Sequence, residues 1–529
     1  MKRFCNGIQV AIAGGLSAYF MLALVLLVFV QPVLSYYAKA SFVMPNGQLL
    51  LMGILLLVCV VVLFWKKYDD RDLNEKYASK RYIIILSVIL FLVQAFVFWH
   101  MYFRTGWDVD LVLSIAQEKY LNGEITGDMS WYLSRYQNNL MITAVLVQIF
   151  KWCGMNMALE HVIYVSALVT SALASVAGVL MFSVVKQVAG QSYAYGAWMV
   201  YAVHIGLSPW LTIPYSDAYG LIVPILILWI YCRPTENTKK IWIFRWVAIG
   251  FLSYVGLKLK PQIFIVVIAI VGIEALYLMQ SLQKESVQKF CKQLLAMLLG
   301  VSASILFYSQ VVIPTVGFQE FPDVAFGPSH FLMMGLNQKT TGGYSQEDVD
   351  FSGSFPDVPS RNQANWEMIK QRILDYGPAG LARHLRDKTM VNFGDGTYAW
   401  SVEGSFYLEV YEDRDSHFSP FFKNLYYRGG KCYPWFAAFE QAIWLTLLFF
   451  SMGSVFYVWK RKQDIPEGIS ALLLALVGLS LFELLFESRA RYLFTYGPFF
   501  IISACIGLQG YIDLVRSMRK TSDSKAISE

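Results

Sequence analysis

Unbroken apolar runs of sixteen or more residues recur along the chain, and between them polar residues gather in short clusters. We count thirteen such runs, near 8–34, 47–65, 82–103, 137–153, 161–185, 193–208, 212–232, 241–257, 262–280, 293–315, 435–459, 468–486 and 492–510. A hydrocarbon layer ~30 Å thick is crossed by about 20 residues of helix. Backbone groups in lipid must be satisfied within their own segment, and the alternating pattern of a barrel strand is absent, so the runs predict helices. The expected fold class is an all-α polytopic membrane protein with about 12 to 14 transmembrane helices.

Composition supports this. With 56% of 529 residues apolar and only 15% charged, a water-soluble globule would carry more apolar side chain than it could bury. The seven cysteines, Cys5, Cys59, Cys153, Cys232, Cys291, Cys432 and Cys505, form no CxxC pair and read as small apolar fillers. The net charge of +6 comes largely from Lys and Arg clusters beside apolar runs, with no basic stripe interleaved with aromatics, so the expected partner is a lipid bilayer and not nucleic acid. The first run follows Lys2 and Arg3 but exceeds a ~7 to 15 residue signal core, so it is expected to stay as a span.

Basic clusters at Lys66–Arg81, Arg233–Lys240, Lys284–Lys292, Lys460–Lys462 and Arg516–Lys525 all ask to be cytoplasmic. Thirteen crossings cannot satisfy them together, so one run does not cross. The weakest are 137–153 and the closely spaced pair in 241–280. With one removed, the loop 104–136 and the long segment 316–434 face outward. The chain then divides into 1–81 (two spans and a basic loop), 82–315 (a membrane core), 316–434 (an outer loop domain) and 435–529 (final spans and a basic tail). Asp110–Leu121 suits a helix along the membrane surface, ended at Asn122-Gly123. In the long segment, Trp366, Ile369, Ile373 and Leu374 recur at helical spacing before Gly377-Pro378, and a second short helix runs to Met390.

Several polar residues stand where chemistry is possible. Asp108 and Asp110 follow the third run beside Trp107, placed to take a proton from a hydroxyl or simply to cap the helix behind them. Asp217, in Tyr215-Ser-Asp217, opens an apolar span and is either functional or an interfacial cap. Lys258 and Lys260, and likewise Arg489 and Arg491, interrupt apolar sequence at the expected outer face, where they would snorkel to headgroups or together clamp a phosphate. Gly394-Asp-Gly396 with Trp400 and Glu403 reads as a turn, with sugar contact by Trp400 or Glu403 the alternative. The six histidines lack metal-ligand spacing, and Walker A, nucleophile-elbow and GxGxxG motifs are missing, so no metal and no nucleotide chemistry is expected.

The order of these pieces, Gly106-Trp-Asp-Val-Asp110, Tyr215-Ser-Asp217, a Lys-Pro segment, a large outer loop and Ser488-Arg-Ala-Arg-Tyr492, resembles the GT-C superfamily of integral-membrane glycosyltransferases, over about 82–510. The resemblance includes protein O-mannosyltransferases and the lipid A aminoarabinose transferase. It implies a GT-C-like bundle with loop helices on its outer face. The implied activity moves a sugar from a polyprenyl-phosphate carrier to a cell-envelope acceptor, with inversion, on the outer face of a bacterial cytoplasmic membrane. On it, Asp108 is the base with Asp110 as alternate, Lys258, Lys260, Arg489 and Arg491 neutralise the phosphate, and Asp217, with Tyr215 and Tyr492 nearby, binds substrate. No cofactor is required. A lipid-linked glycan polymerase or ligase is the alternative enzyme. A transporter or flippase would call for pseudo-symmetric halves, which the sequence lacks.

Overall fold

The computed structural model describes residues 2–30, 42–67, 80–154, 157–233, 239–461 and 465–528. The helices that build the bundle are α1 (Lys2–Phe29), α2 (Asn46–Lys67), α3 (Lys80–Trp99), α4 (Trp107–Asn122), α5 (Gly127–Arg135), α6 (Asn139–Cys153), α7 (Leu159–Ala189), α8 (Gln191–Tyr201), α9 (Ser216–Gly220), α10 (Ile222–Cys232), α11 (Lys239–Leu259), α12 (Ile265–Gln280), α13 (Lys284–Phe307) and α14 (Ile313–Val316). Then follow α15 (Pro328–Gly335), α16 (Gln346–Gly353), α17 (Val358–Phe393), α18 (Phe418–Tyr426), α19 (Tyr433–Met452), α20 (Ser454–Lys460), α21 (Glu467–Leu485) and α22 (Gly497–Ser528). Among the described residues nine helices are long and apolar enough to cross a membrane, and three shorter apolar ones accompany them. The chain is a multi-pass integral membrane protein, nearly all-α.

Side chains locate the run that does not cross. Asn139, at the start of α6, donates to the Tyr132 hydroxyl at 2.8 Å. Beyond its end, His161 stacks on Trp99 at the tip of α3, and Arg414 of the long loop reaches both Tyr102 and Glu160. Both ends of α6 therefore lie at the end of the bundle that carries 317–432. At the far end, Gln9 donates to Ser470 and Tyr277, and Gln509 to the Ala189 carbonyl. The 241–280 pair crosses twice, turning at Lys260-Pro261. The 193–208 run crosses as α8 with a π turn, Ala202–Gly206, and a 3-10 turn, Pro209–Thr212.

Lipid gives helices no hydrophobic reason to associate, so close backbone packing does much of the joining. A Cβ on Gly250 of α11 would collide with the Met297 carbonyl of α13, and one on Gly300 of α13 with the Val247 carbonyl. Gly507 of α22 meets the Phe450 carbonyl of α19 in the same way.

The loops at the loop-bearing end are joined by two strands absent from the sequence reading. Phe103–Thr105 (β1) pairs antiparallel with Tyr407–Val410 (β2), bringing segments some 300 residues apart into register. α4 ends where expected, with Gly123 left-handed and its N–H on the Lys119 carbonyl. α17 is kinked at Gly377, whose φ is 57°, ahead of Pro378. Of the apolar set expected on its first half only Ile369 is buried, against Met333 and Leu336. Trp366, Ile373 and Leu374 are exposed.

Single cysteines at Glu124, Met157 and Lys370, in a background without native cysteines, should all react with a membrane-impermeant maleimide added from one side of sealed vesicles. One at Lys284 should react only from the other. Labelling of Met157→Cys from the Lys284 side would mean that α6 crosses.

Candidate functional site

Four breaks in the bundle supply the site: the turn before α9, the Lys260-Pro261 break, the segment 394–404 and the stretch after α21. Pro261 forbids a helical Lys260, which is extended at φ −160° and ψ 117°, so α11 stops at Leu259. Lys258 stays helical and Lys260 does not, which turns the two ammonium groups to different surroundings. Lys258 lies over the Tyr254 and Tyr308 rings, at 5.6 and 5.0 Å, whereas Lys260 donates to Asp217 and sits 4.6 Å from the Tyr492 ring centre. Past the end of α21, Arg489 is likewise extended, and the 3-10 turn Ala490–Tyr496 carries Arg491 and Tyr492.

Charges of both signs interlock here. Arg489 donates to Glu403 at 2.7 Å and to Glu487 at 3.1 Å, and Glu487 also accepts from the Tyr492 hydroxyl at 3.2 Å. Arg491 is held more loosely. Its Nη1 is 3.5 Å from Glu403 and its Nε 3.6 Å from Asp217, both beyond a good hydrogen bond. Its guanidinium lies 4.3 Å over the Trp107 ring, which packs edge-on against Tyr215 at 5.1 Å. The buried atoms Arg491 Nε, Asp217 Oδ2, Trp107 Nε1 and Ser488 Oγ all lack a hydrogen-bond partner. Such orphans cost about 1–3 kcal/mol each, and three of them, Arg491 Nε, Asp217 Oδ2 and Trp107 Nε1, belong to side chains gathered around one guanidinium, where an incoming ligand would satisfy them.

A polar chain leads from there to Asp108. Tyr215 donates to Asn139 at 2.9 Å, Asn139 to Tyr132 at 2.8 Å, and Tyr132 to Asp108 Oδ1 at 2.8 Å. Burial pushes the Asp108 carboxyl up from its ordinary value, against the lowering effects of the Tyr132 hydroxyl and Arg491. Burial alone would raise Glu403 too, but Arg489 and Arg491 bring it below its ordinary value. Trp107 has φ 51°, a left-handed conformation costing a bulky residue about 1–2 kcal/mol. The preceding Gly106 N–H, bound to the Phe406 carbonyl at 2.9 Å beside the β1–β2 ladder, helps hold it.

The structure thus brings together Asp108, Tyr215, Asp217, Lys260, Arg489, Arg491 and Tyr492. It leaves out two expected members. Asp110 faces away and accepts from Arg104 at 2.5 Å, because two residues along a helix point in nearly opposite directions. Lys258 belongs to the tyrosine pair, so the expected four-cation clamp has three members. Glu403, weighed above only as a turn or sugar contact, is a central counter-charge. Glu487, Tyr132 and Asn139 were not foreseen. The spacing Glu487-x-Arg489-x-Arg491 between two apolar runs is a usable signal, since charges of both signs at a span boundary neutralise one another. Among the described residues no group of three or more His, Cys, Asp or Glu side chains is arranged to hold a metal ion.

The fold and site define a polytopic membrane protein with a buried, charge-lined centre at its loop-bearing end. The chain belongs to the family described as conserved hypothetical integral membrane protein, whose model matches residues 8–510. No curated protein matches the chain.

Lys388 of α17 clamps the loop domain to the site. It is fully buried, and its Nζ donates to the Phe486 carbonyl at 2.6 Å and to the Gly335 carbonyl at 2.9 Å. Burial brings its pKa down to about 7, against the opposing pull of Glu483 and Glu487. Between that value and the ordinary 10.5, the unfolded chain holds a proton that the folded one has lost, so stability rises with pH across this window and the penalty is complete below it. The melting temperature of the detergent-solubilised protein should climb from pH 7 toward pH 10 relative to Lys388→Met. Parallel pH curves for the two proteins would contradict this.

Removing a partner from a buried pair strands the other charge, at about 3–5 kcal/mol. Asp217→Asn, which leaves Lys260 without its counter-charge, should therefore lower the melting temperature more than Asp110→Asn, whose Arg104 partner is a quarter exposed.

Proposed function

We propose that the protein is a glycosyltransferase that moves a sugar from a polyprenyl-phosphate carrier to a cell-envelope acceptor, with inversion at the anomeric carbon. The observation that carries this reading is the meeting of a buried carboxylate, Asp108, with the open guanidinium of Arg491 and with Lys260 in one centre at the loop-bearing end.

The chemistry needs a base for the acceptor hydroxyl and cations for the leaving phosphate. Asp108, its carboxyl raised above its ordinary value by burial, takes the hydroxyl proton as the acceptor oxygen attacks the anomeric carbon. The bond from that carbon to the phosphate oxygen breaks on the opposite face, and its electron pair leaves with the lipid phosphate. Arg491 offers its Nε, and Trp107 its Nε1, to that phosphate, and Lys260 adds charge from across Asp217. Arg489, already tied to Glu403 and Glu487, fixes the carboxylates around it. Asp217 Oδ2 is free to accept from a substrate hydroxyl, and Tyr215 and Tyr492 line the same centre beside Arg491 and Lys260. Charge compensation comes from the side chains, so the reading requires no cofactor. Lys and Arg clustering in the loops supports placing this centre outside a bacterial cytoplasmic membrane.

The experiment is purified full-length protein given a panel of polyprenyl-phosphate sugars and envelope acceptors, with release of free lipid phosphate measured. The wild type should turn over at least one donor, and Asp108→Asn should lose about 10²- to 10⁴-fold in kcat while Asp110→Asn stays close to wild type. Turnover by a normally folded Asp108→Asn at the wild-type rate would overturn the assignment of the base and favour a polymerase or ligase.

A further inference from the structure

Glu403 reaches the centre from an unusual segment, and the structure contains a second buried polar cluster at that segment's base. After α17 the chain turns through Gly394-Asp-Gly-Thr-Tyr-Ala399 into the π turn Trp400–Gly404. Tyr398 and Ala399 are both left-handed, with φ of 57° and 62°, although neither is glycine. The Glu403 N–H is bound to the Ala399 carbonyl at 2.8 Å, so the direction of Glu403 follows from that conformation.

Two of the holds on the segment are ordinary backbone anchors. Trp210 Nε1 donates to the Thr397 and Tyr398 carbonyls at 3.1 and 3.0 Å, and the Gly396 N–H donates to Gln441 at 2.6 Å. The third is a chain of titratable groups within the bundle. The Tyr398 hydroxyl lies 3.0 Å from His204 Nε2, and His204 Nδ1 lies 2.5 Å from Glu440 of α19. His204 and Glu440 are buried, and His204 sits in the π turn that interrupts the helix after α8. A neutral imidazole satisfies the whole chain, with Tyr398 donating to Nε2 and Nδ1–H donating to the Glu440 carboxylate. A buried His–Glu pair is expensive to keep in a membrane bundle, and nothing in the transfer chemistry touches it. π turns interrupting helices recur at functional positions.

We infer that His204 and Glu440 are positioning residues: through the Tyr398 hydroxyl they hold residues 395–404 in the conformation that presents Glu403 to Arg489 and Arg491. The inference rests on the reading of that centre as the phosphate-binding part of a transferase, but its structural half can be tested without it.

The test uses the full-length protein in nanodiscs, with Tyr398→Phe and Glu440→Met as variants that each remove one hydrogen bond at nearly unchanged bulk. Amide hydrogen exchange over 395–404 should speed up about tenfold or more in both, while 439–452 and 497–510 keep their protection. Farnesyl phosphate, titrated as the probe, should bind with an affinity changed about threefold or more in each variant. That change should disappear when either variant is combined with Glu403→Gln, because the effect runs through Glu403. Unchanged exchange over 395–404 would overturn the inference, as would a change in affinity that persists undiminished in the Glu403→Gln background. A wild-type protein that transfers no sugar would sink the transferase reading and leave the exchange result to decide the positioning role on its own.

Discussion

Three cations, the buried Lys260 and Arg491 and the largely covered Arg489, meet at the end of a membrane bundle, and the arrangement of that end follows from the need to neutralise them. An unpaired charge taken out of water costs several kcal/mol, so each is held beside carboxylates, closely for Lys260 and Arg489 and more loosely for Arg491. Glu487 lies two residues from Arg489 in sequence, but Asp217 and Glu403 come from segments 43 residues from Lys260 and 86 residues from Arg489. The turn before α9, the Lys260-Pro261 break, the 394–404 segment and the stretch after α21 are thereby tied to one another. The β1–β2 pairing and the Lys388 clamp fasten the loops around the same point.

The neutralisation is uneven, and the unevenness is what gives the centre a chemical direction. Arg489 spends its donors on Glu403 and Glu487 at ordinary hydrogen-bond lengths and serves as a fixed strut. Arg491 stacks on Trp107 and stays just out of reach of both its carboxylates, with Nε unpartnered. A guanidinium held by ring packing and distant charges, with its fork open, is preorganised for an anion it does not yet hold. Asp108 is linked to the Trp107–Tyr215 pair through Asn139 and Tyr132, and is held in place by side chains that do not themselves ionise at neutral pH.

Length and apolarity were enough to read the helices, because a membrane span announces itself within about 20 residues. The parity of basic clusters was enough to say that one run fails to cross. It could not choose between 137–153 and the 241–280 pair, since that depends on where Asn139 and His161 find their partners. At the site, residues that break apolar sequence, such as Asp217, Lys260 and Arg491, were visible one by one. Which of two neighbours faces inward was not, because it turns on local backbone: helix phase separates Asp108 from Asp110, and Pro261 separates Lys260 from Lys258. Glu403 was hidden for a different reason. It lies in a hydrophilic loop where an acid is unremarkable, and only the left-handed pair at Tyr398 and Ala399 brings it to the arginines.

The most direct measurement is the position of the phosphorus atom in a structure of the protein with a bound polyprenyl phosphate. The account predicts phosphate oxygens about 3 Å from Arg491 Nε and Trp107 Nε1, with the isoprenyl chain leaving toward the lipid and Asp108 facing the vacated sugar position. A phosphate held instead between Lys258 and its two tyrosines, with the Arg491 guanidinium still unliganded, would contradict it.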